Sequence, residues 1–174
     1  TKCYEAMTDY CGFSFIEAGK AMGLAPYGKP NPKIPAIFLG PEQRNLSNRN
    51  LFVPNYPNGA HVDKVANPVL NTDSLEMKKD LAYAVQEATQ AQMVKLILEA
   101  IERTGEKNIC IAGGYGLNCV ANYEYLKHLP EGINLYCEPI AHDGGTCIGA
   151  AKLVHHEINN DSTIRKQTTI YYGP

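Results

Sequence analysis

The chain has 174 residues, of which 44% are hydrophobic and 20% are charged. This length and composition are ordinary for one globular domain with a hydrophobic core. Lysine and arginine number 16 against 18 aspartates and glutamates, a formal charge of −2 that argues against a nucleic-acid binder with a basic surface. No run approaches the roughly 20 apolar residues of a membrane span, and no signal peptide is visible. We therefore expect a cytoplasmic protein without a membrane or nucleic-acid partner.

The cysteines favour a reducing compartment over a disulfide framework. No two of them form a C-x-x-C pair, and several stand in apolar runs such as residues 108–112. We expect all six to be reduced and buried. The histidine and cysteine spacing also lacks the pattern of a zinc site.

The first part of the chain is predicted to be helical and then irregular. Residues 1–30 contain a predicted helix and turn, with a break near Cys11-Gly12. Residues 31–71 are rich in proline and asparagine, with short extended runs at 34–39 and 51–53 and turn signals that allow one small hairpin. We interpret this segment as an irregular insertion on the surface.

Residues 72–174 alternate between helical and strand patterns. A long helix with three-to-four-residue apolar spacing precedes two short apolar runs, each followed by a helix. The predicted order is a helix at 74–103, a strand at 108–112, a helix at 117–129, a strand at 133–137 and a helix at 146–156. This alternation is typical of an α/β layer with parallel strands. Because the chain opens on Thr1 rather than methionine, we interpret residues 1–174 as a single partial domain of a longer protein.

A first glycine loop, residues 113–118, follows the first predicted strand. Ligands of such sheets bind at the carboxyl ends of the strands. Gly113 and Gly114 would allow close approach of a ligand, and Asn118 offers a donor and an acceptor. The alternative is a tight turn in which Asn118 caps the next helix.

A second glycine loop, residues 141–146, follows the second predicted strand. Asp143 is suited to be a metal ligand or a phosphate-site carboxylate, and equally to be a helix N-cap. Gly144 and its neighbour would let a phosphate sit against the helix start. Two such loops about thirty residues apart carry more weight together than either alone.

Glu17 and Lys20 stand one helical turn apart near the start of the chain. One interpretation is an exposed ion pair between them, which would contribute a few tenths of a kcal/mol. The other is a contact to a ribose or a phosphate beside the glycine-containing turn that follows.

Three segments together resemble one enzyme family. Residues 17–28 resemble its EGK-x-MGLAPYG pattern, residues 113–122 its GG-x-x-LNC-x-AN pattern, and residues 139–151 its P-x-x-x-D-x-GG-x-x-GAA pattern. They occur in the family's order and bracket most of the chain. The family is that of the nodulation-protein and antibiotic O-carbamoyltransferases.

The resemblance implies part of an actin/hexokinase/Hsp70-like (ribonuclease H-like) domain. It implies a reaction in which carbamoyl phosphate and ATP yield a carbamoyl-adenylate, whose carbamoyl group passes to a hydroxyl of a small-molecule or sugar acceptor. By this analogy the ATP-binding residues are Gly113, Gly114, Asn118, Gly144, Glu17 and Lys20. Asp143 would bind a divalent metal, iron or magnesium. No catalytic residue is assigned.

The sequence also departs from the family pattern. Tyr115-Gly116 replaces a commoner small apolar pair, and the H-x-x-x-H metal pair is missing. We therefore expect an incomplete metal site and an inactive fragment whose parent supplies the remaining ligands and domain. Two alternatives stay open: a nucleotide-binding ATPase or kinase-like module of the same superfold without carbamoyl chemistry, and an interaction module whose glycine loops are only turns.

Overall fold

The computed structural model describes residues 2–38, 51–54, 59–161 and 163. Five helices and four strands form a mixed α/β structure in these ranges. The helices are α1 (Lys2–Tyr10), α2 (Ala18–Leu24), α3 (Leu75–Thr104), α4 (Cys119–His128) and α5 (Thr146–Asn159), and the strands are β1 (Phe52–Pro54), β2 (Ala60–Val62), β3 (Asn108–Ile111) and β4 (Asn134–Cys137). The predicted α/β class is confirmed, while its assignment to the actin/hexokinase/Hsp70-like group stays a prediction.

The chain consists of two compact units, Thr1–Ala100 and Ile101–Pro174, each described here by itself. This division leaves open whether the chain is a single partial domain, which stays a prediction. Among the described residues, no helix combines the length and apolarity that crossing a bilayer requires.

The insertion predicted for residues 31–71 contains the expected small hairpin. Strands β1 and β2 pair antiparallel, with Phe52 opposite Val62. The described part of the extended run at 34–39 forms no strand, so that prediction is wrong, and Leu39 itself lies outside the described residues.

The hairpin is also less peripheral than predicted. Leu51 and Phe52 are each 4% exposed, Val62 is 6% exposed, and Leu70 is fully buried. Helix α1 packs against β1 and β2, and its Met7 is fully buried. These apolar residues are buried because the hairpin packs against α1, which is distant in sequence. Most other described residues between 31 and 71 are exposed or half-buried, and the interpretation of this segment as a surface insertion stays a prediction.

Helix α3 is the longest element and begins and ends close to the prediction. The backbone N–H of Met77 donates to the Ser74 hydroxyl oxygen at its start, and Gly105, with φ of 70°, follows its end. Its buried face carries polar residues as well as apolar ones. The Tyr4 hydroxyl donates to Gln86 Oε1 at 2.7 Å, and Gln86 Nε2 donates to Gln90 Oε1 at 2.5 Å. This ladder satisfies buried polar groups between α1 and α3.

The segment after α2 is held against α3 by a buried carboxylate. Asp80 is 4% exposed, and its two oxygens accept hydrogen bonds from the Lys29 backbone N–H at 3.0 Å and from Asn31 Nδ2 at 2.9 Å. Gly28 approaches α3 so closely that a Cβ atom would lie 2.1 Å from the Lys79 carbonyl oxygen. The last glycine of the MGLAPYG segment is therefore required by packing.

In the second unit, β3 and β4 pair in parallel, with Asn108 opposite Asn134 and Ile111 opposite Cys137. The predicted parallel arrangement is confirmed. All six cysteines are free, as expected, but Cys110, Cys119 and Cys147 are exposed, so the prediction that all are buried is wrong. Cys110 lies on β3 with its side chain on the exposed face of the sheet, where alternate residues of the strand are also exposed.

Candidate functional site

The two glycine loops lie side by side at the carboxyl ends of β3 and β4. The backbone N–H of Glu138 donates to the Ile111 carbonyl oxygen at 3.0 Å, which holds the two strand ends together. A Cβ atom on Gly116 would lie 3.1 Å from the Cβ of Ala141, so the loops are in contact. The prediction that both loops emerge from neighbouring parallel strands toward one place is confirmed.

A cavity of about 440 Å³ opens where the two loops meet, within the range typical of small-molecule sites. It contains residues from both loops, from the end of β4 and from the first turns of α5. Its lining residues are Ala112, Gly113, Glu138, Ile140, Ala141, His142, Asp143, Gly145, Thr146, Ile148, Gly149 and Lys152.

Gly113 occupies a backbone conformation that only glycine adopts readily. Its φ is 91° and its ψ is 162°. This conformation turns the chain out of β3 and into the short 3₁₀ turn Gly114–Leu117. A Cβ atom on Gly113 or Gly114 would meet nothing within 4 Å. Gly113 is therefore required by the backbone turn, and the space beside it is open to the cavity.

Asn118 serves as the cap of α4. Its Oδ1 accepts a hydrogen bond from the Ala121 backbone N–H at 3.0 Å, and the residue is 7% exposed. The capping alternative is therefore confirmed. Asn118 is not among the residues that line the cavity. Its role as a nucleotide ligand stays a prediction.

In the second glycine loop, packing against backbone requires glycine at position 145, whereas the nearest neighbour of Gly144 is the exposed His142 side chain, which can move aside. The Gly144 backbone N–H donates to His142 Nδ1 at 3.0 Å, and a Cβ atom on Gly144 would lie 2.5 Å from His142 Cε1. A Cβ atom on Gly145 would lie 2.2 Å from the Ile140 carbonyl oxygen. Gly145 lines the cavity and Gly144 does not, so the predicted phosphate contact of Gly144 stays a prediction.

Asp143 begins the 3₁₀ turn Asp143–Gly145, but His142 supplies its side-chain cap. The N-cap alternative for the Asp143 carboxylate is therefore wrong. Among the described residues, that exposed carboxylate accepts no hydrogen bond, while the Asp143 carbonyl oxygen accepts from the Thr146 hydroxyl at 2.6 Å. The carboxylate is available to a ligand that enters the cavity.

The second carboxylate of the cavity is already engaged. Glu138 Oε2 accepts from the Tyr136 hydroxyl at 3.1 Å, and Oε1 accepts from the Ile140 backbone N–H at 3.3 Å. In the part of the chain that the structure describes, no group of three or more histidine, cysteine, aspartate or glutamate side chains is disposed to hold a metal ion. Asp143 thus fits a divalent metal as one ligand of a set that needs others.

Glu17 and Lys20 belong to the first unit and form an ion pair with each other. The other carboxylate oxygen of Glu17 accepts from the Ser14 backbone N–H at 2.9 Å. The hydrogen bond from Lys20, followed by that from Ser14, lowers the pKa of Glu17. The ion-pair interpretation is confirmed, and the nucleotide role of both residues stays a prediction.

Comparison with known proteins places these loops in a family. The chain matches the family described as Carbamoyltransferase N-terminus over residues 1–152. The chain belongs to this carbamoyltransferase family. The family resemblance of the three segments is therefore confirmed.

Curated relatives of this carbamoyltransferase chain are much longer than the chain itself. It is similar to the uncharacterized protein sll1178 of Synechocystis sp., with 33% identity over 98% of this chain and 30% of that protein. It is 29% identical to nodulation protein NolNO of Sinorhizobium fredii over 95% of this chain and 24% of that protein. Its identity to nodulation protein NolO of Bradyrhizobium diazoefficiens is 27%, over 95% of this chain and 30% of that protein. The chain thus spans less than a third of the length of these curated relatives.

Sequence reasoning missed three residues that bear on the candidate site or on the packing of the first unit. Asp80 anchors the segment after the EGK-x-MGLAPYG pattern, and Glu138 and Lys152 line the cavity. The position of Glu138 directly after a strand was a signal for the cavity edge. Asp80 and Lys152 lie within helices, where only tertiary packing distinguishes them from ordinary surface charges.

Proposed function

We propose that the chain carries the nucleotide-binding part of a carbamoyltransferase, with ATP in the cavity between the two glycine loops. The observation that carries this proposal is the 440 Å³ cavity at the carboxyl ends of two parallel strands, lined by Gly113 from one loop and by Asp143 and Gly145 from the other. Ligands of α/β sheets occupy this position, and glycines there let phosphates approach the backbone.

In this proposal the glycine loops position the phosphates and Asp143 supplies charge. Gly113 keeps the wall beside β3 free of a side chain, while Gly145 keeps the start of α5 close to Ile140. A divalent metal, iron or magnesium, would supply Lewis acidity toward phosphate or carbamoyl oxygens when bound. Asp143 would be one of its ligands, and the remainder of the parent chain would contribute the others.

The proposed reaction moves a carbamoyl group in three steps. Water cleaves carbamoyl phosphate to carbamate and phosphate. A carbamate oxygen then bonds to the α-phosphorus of ATP, the bond from that phosphorus to the bridging oxygen of the β-phosphate breaks, and pyrophosphate leaves with the electron pair to give the carbamoyl-adenylate. An acceptor hydroxyl oxygen then bonds to the carbamoyl carbon, the bond from that carbon to the AMP oxygen breaks, and AMP leaves with the electron pair. The hydroxyl proton is released to solvent. The proposed acceptor is a hydroxyl-bearing small molecule or sugar.

The proposal also includes the predicted nucleotide contacts of residues that do not line the cavity. Asn118 fixes the first glycine loop on α4, so its main contribution would be the position of Gly113 and Gly114. Gly144 would contact phosphate only after its N–H leaves His142. An actin/hexokinase/Hsp70-like frame would bring Glu17 and Lys20 toward the ribose or phosphates.

The proposal is tested in the full-length parent by measuring pyrophosphate release from ATP with and without carbamoyl phosphate. We expect release that depends on carbamoyl phosphate, and a decrease of about 100-fold in Asp143→Ala, since even the partners of metal ligands contribute about 10–100-fold. Asp9→Ala, an exposed change on α1, serves as the matched control and should keep the wild-type rate. An unchanged rate in Asp143→Ala would remove the metal role. A rate of ATP cleavage that does not depend on carbamoyl phosphate would favour the ATPase or kinase-like alternative.

A further inference from the structure

Helix α5 turns one narrow face toward the cavity. Ile148, Gly149 and Lys152 of α5 line it, together with Gly145, the residue directly before the helix. Their spacing of three, one and three residues places them along one side of a helix. This face carries two glycines and ends in a lysine, so it combines open space with a positive charge.

Among the described residues, no neighbour requires position 149 to be glycine. A Cβ atom there would meet nothing within 4 Å, and glycine inside a helix costs about 0.5–1 kcal/mol relative to alanine. The other cavity glycine of this helix face, Gly145, is required by the Ile140 backbone. Gly149 differs because its missing side chain only widens the cavity.

Lys152 stands one turn beyond Gly149 on the same face. Long side chains on helices lean toward the N-terminus and cover the preceding turn. A lysine at position 152 is therefore expected to extend along the turn that contains Ile148 and Gly149, toward Gly145 and Asp143. The missing side chain at Gly149 leaves that path unobstructed.

Lys152 has no ion pair among the described residues, as is also true of Lys33, Lys95 and Lys107, and it differs from these lysines in lining the cavity. Glu138 and Asp143 line the same cavity. Five other lysines each form an ion pair with a carboxylate: Lys2, Lys20, Lys78, Lys79 and Lys127. An ammonium group on a cavity wall that has no partner among the described residues can bind an anion without first breaking a bond to one of them.

We propose that Lys152 binds the phosphate chain of the nucleotide and so sets the preference of this cavity for a phosphorylated ligand. This inference rests on the proposed function, because it places the same nucleotide in the same cavity. It adds a positively charged contact that glycine backbone and a carboxylate do not provide.

The test compares four forms of the full-length parent by isothermal titration: wild type, Lys152→Met, Lys152→Arg and Lys127→Met. Each is titrated with ATP and with adenosine, which lacks phosphate. Methionine keeps most of the lysine stem and removes the charge. Lys127, on α4 and paired with Glu124 outside the cavity, is the matched control.

We expect Lys152→Met to weaken ATP binding at least tenfold, in line with a hydrogen bond to a charged group, while adenosine affinity is unchanged. Lys152→Arg should recover most of the ATP affinity, and Lys127→Met should match wild type. Equal ATP affinity in Lys152→Met and wild type would overturn the inference and leave the nucleotide site intact. If Lys152→Met weakened the binding of ATP and of adenosine by the same factor, the proposed contact between Lys152 and phosphate would be overturned. If wild type binds no ATP, the proposed function itself fails.

Discussion

Replacing Gly28 by alanine should destabilise the first unit severely, whereas the same replacement at Gly23 should not. Both glycines belong to the MGLAPYG segment, so a role in ligand chemistry would not separate them in this way. A Cβ atom added at Gly28 would lie 2.1 Å from the Lys79 carbonyl oxygen and 2.8 Å from the Tyr83 Cβ. A Cβ atom on Gly23 would meet nothing within 4 Å.

The expected loss of stability in Gly28→Ala depends on how far the segment around residue 28 must shift away from α3. Real Cβ atoms essentially never come closer than 3.0 Å to another heavy atom, so the segment must shift by about 1 Å from the α3 backbone. Overpacking of this kind costs about 1–3 kcal/mol. The shift also strains the hydrogen bonds from Lys29 and Asn31 to buried Asp80, and a hydrogen bond to a charged group contributes about 1.5–3 kcal/mol. The expected loss is about 3–5 kcal/mol, a large share of an ordinary domain's stability.

The assay is urea unfolding followed by far-UV circular dichroism, with Gly23→Ala as the matched control. Gly23 lies inside α2, so alanine there should raise the free energy of unfolding by about 0.5–1 kcal/mol. The two substitutions should therefore have opposite signs. Equal stability of Gly28→Ala and wild type would refute the close approach of this segment to α3.

Further substitutions are predicted to change the free energy of unfolding, measured in the same urea assay. Gly145→Ala should lower the free energy of unfolding by about 2 kcal/mol, because its Cβ would lie 2.2 Å from a backbone carbonyl oxygen. Gly149→Ala, where the Cβ meets nothing within 4 Å, should raise it by about 0.5–1 kcal/mol. Equal effects of the two substitutions would contradict the close packing at Gly145 and the open space at Gly149. Asp80→Asn should lower the free energy of unfolding by about 1–3 kcal/mol, because the new NH2 group would face one of the two N–H donors that now bind the carboxylate. Asp9→Asn, at an exposed position, should change it by no more than about 0.5 kcal/mol. Burial raises the pKa of the Cys11 thiol from 9.0 to about 11, so its proton stabilises the folded state below pH 9.0, and this contribution is lost as the pH rises through about 11. Wild type should therefore lose stability relative to Cys11→Ala over that window, and identical pH dependence would contradict the burial.

The periodic parts of the fold were predictable because their signals are local. Apolar spacing and end signals located α3 to within a residue or so at each end. The apolar runs at 108–112 and 133–137 located β3 and β4, and their alternation with helices gave the parallel pairing. For the same reason the two glycine loops were placed correctly at the strand ends.

The hairpin in the insertion was predictable, but its burial was not, because its packing partner is distant in sequence. Proline and asparagine between 31 and 71 indicate turns, yet Phe52 and Val62 are buried by packing against α1. No local pattern records that packing. The exposure of Cys110 was missed for a related reason, since an apolar run does not show which sheet face is covered.

The candidate site was predictable in outline and not in its details. Glycines after strands pointed to the cavity, but they do not show which N–H groups are already bonded. Only the structure shows that Gly144 donates to His142 and that Asn118 is engaged with α4. The position of Lys152 on the cavity wall depends on the direction of α5, which sequence spacing alone does not give.

The most direct test is a structure of the full-length parent bound to a non-hydrolysable ATP analogue and a divalent cation. The account predicts that the phosphate chain lies between Gly113 and Gly145, with the cation within coordination distance of the Asp143 carboxylate. A nucleotide bound elsewhere, with this cavity filled by protein side chains, would contradict it.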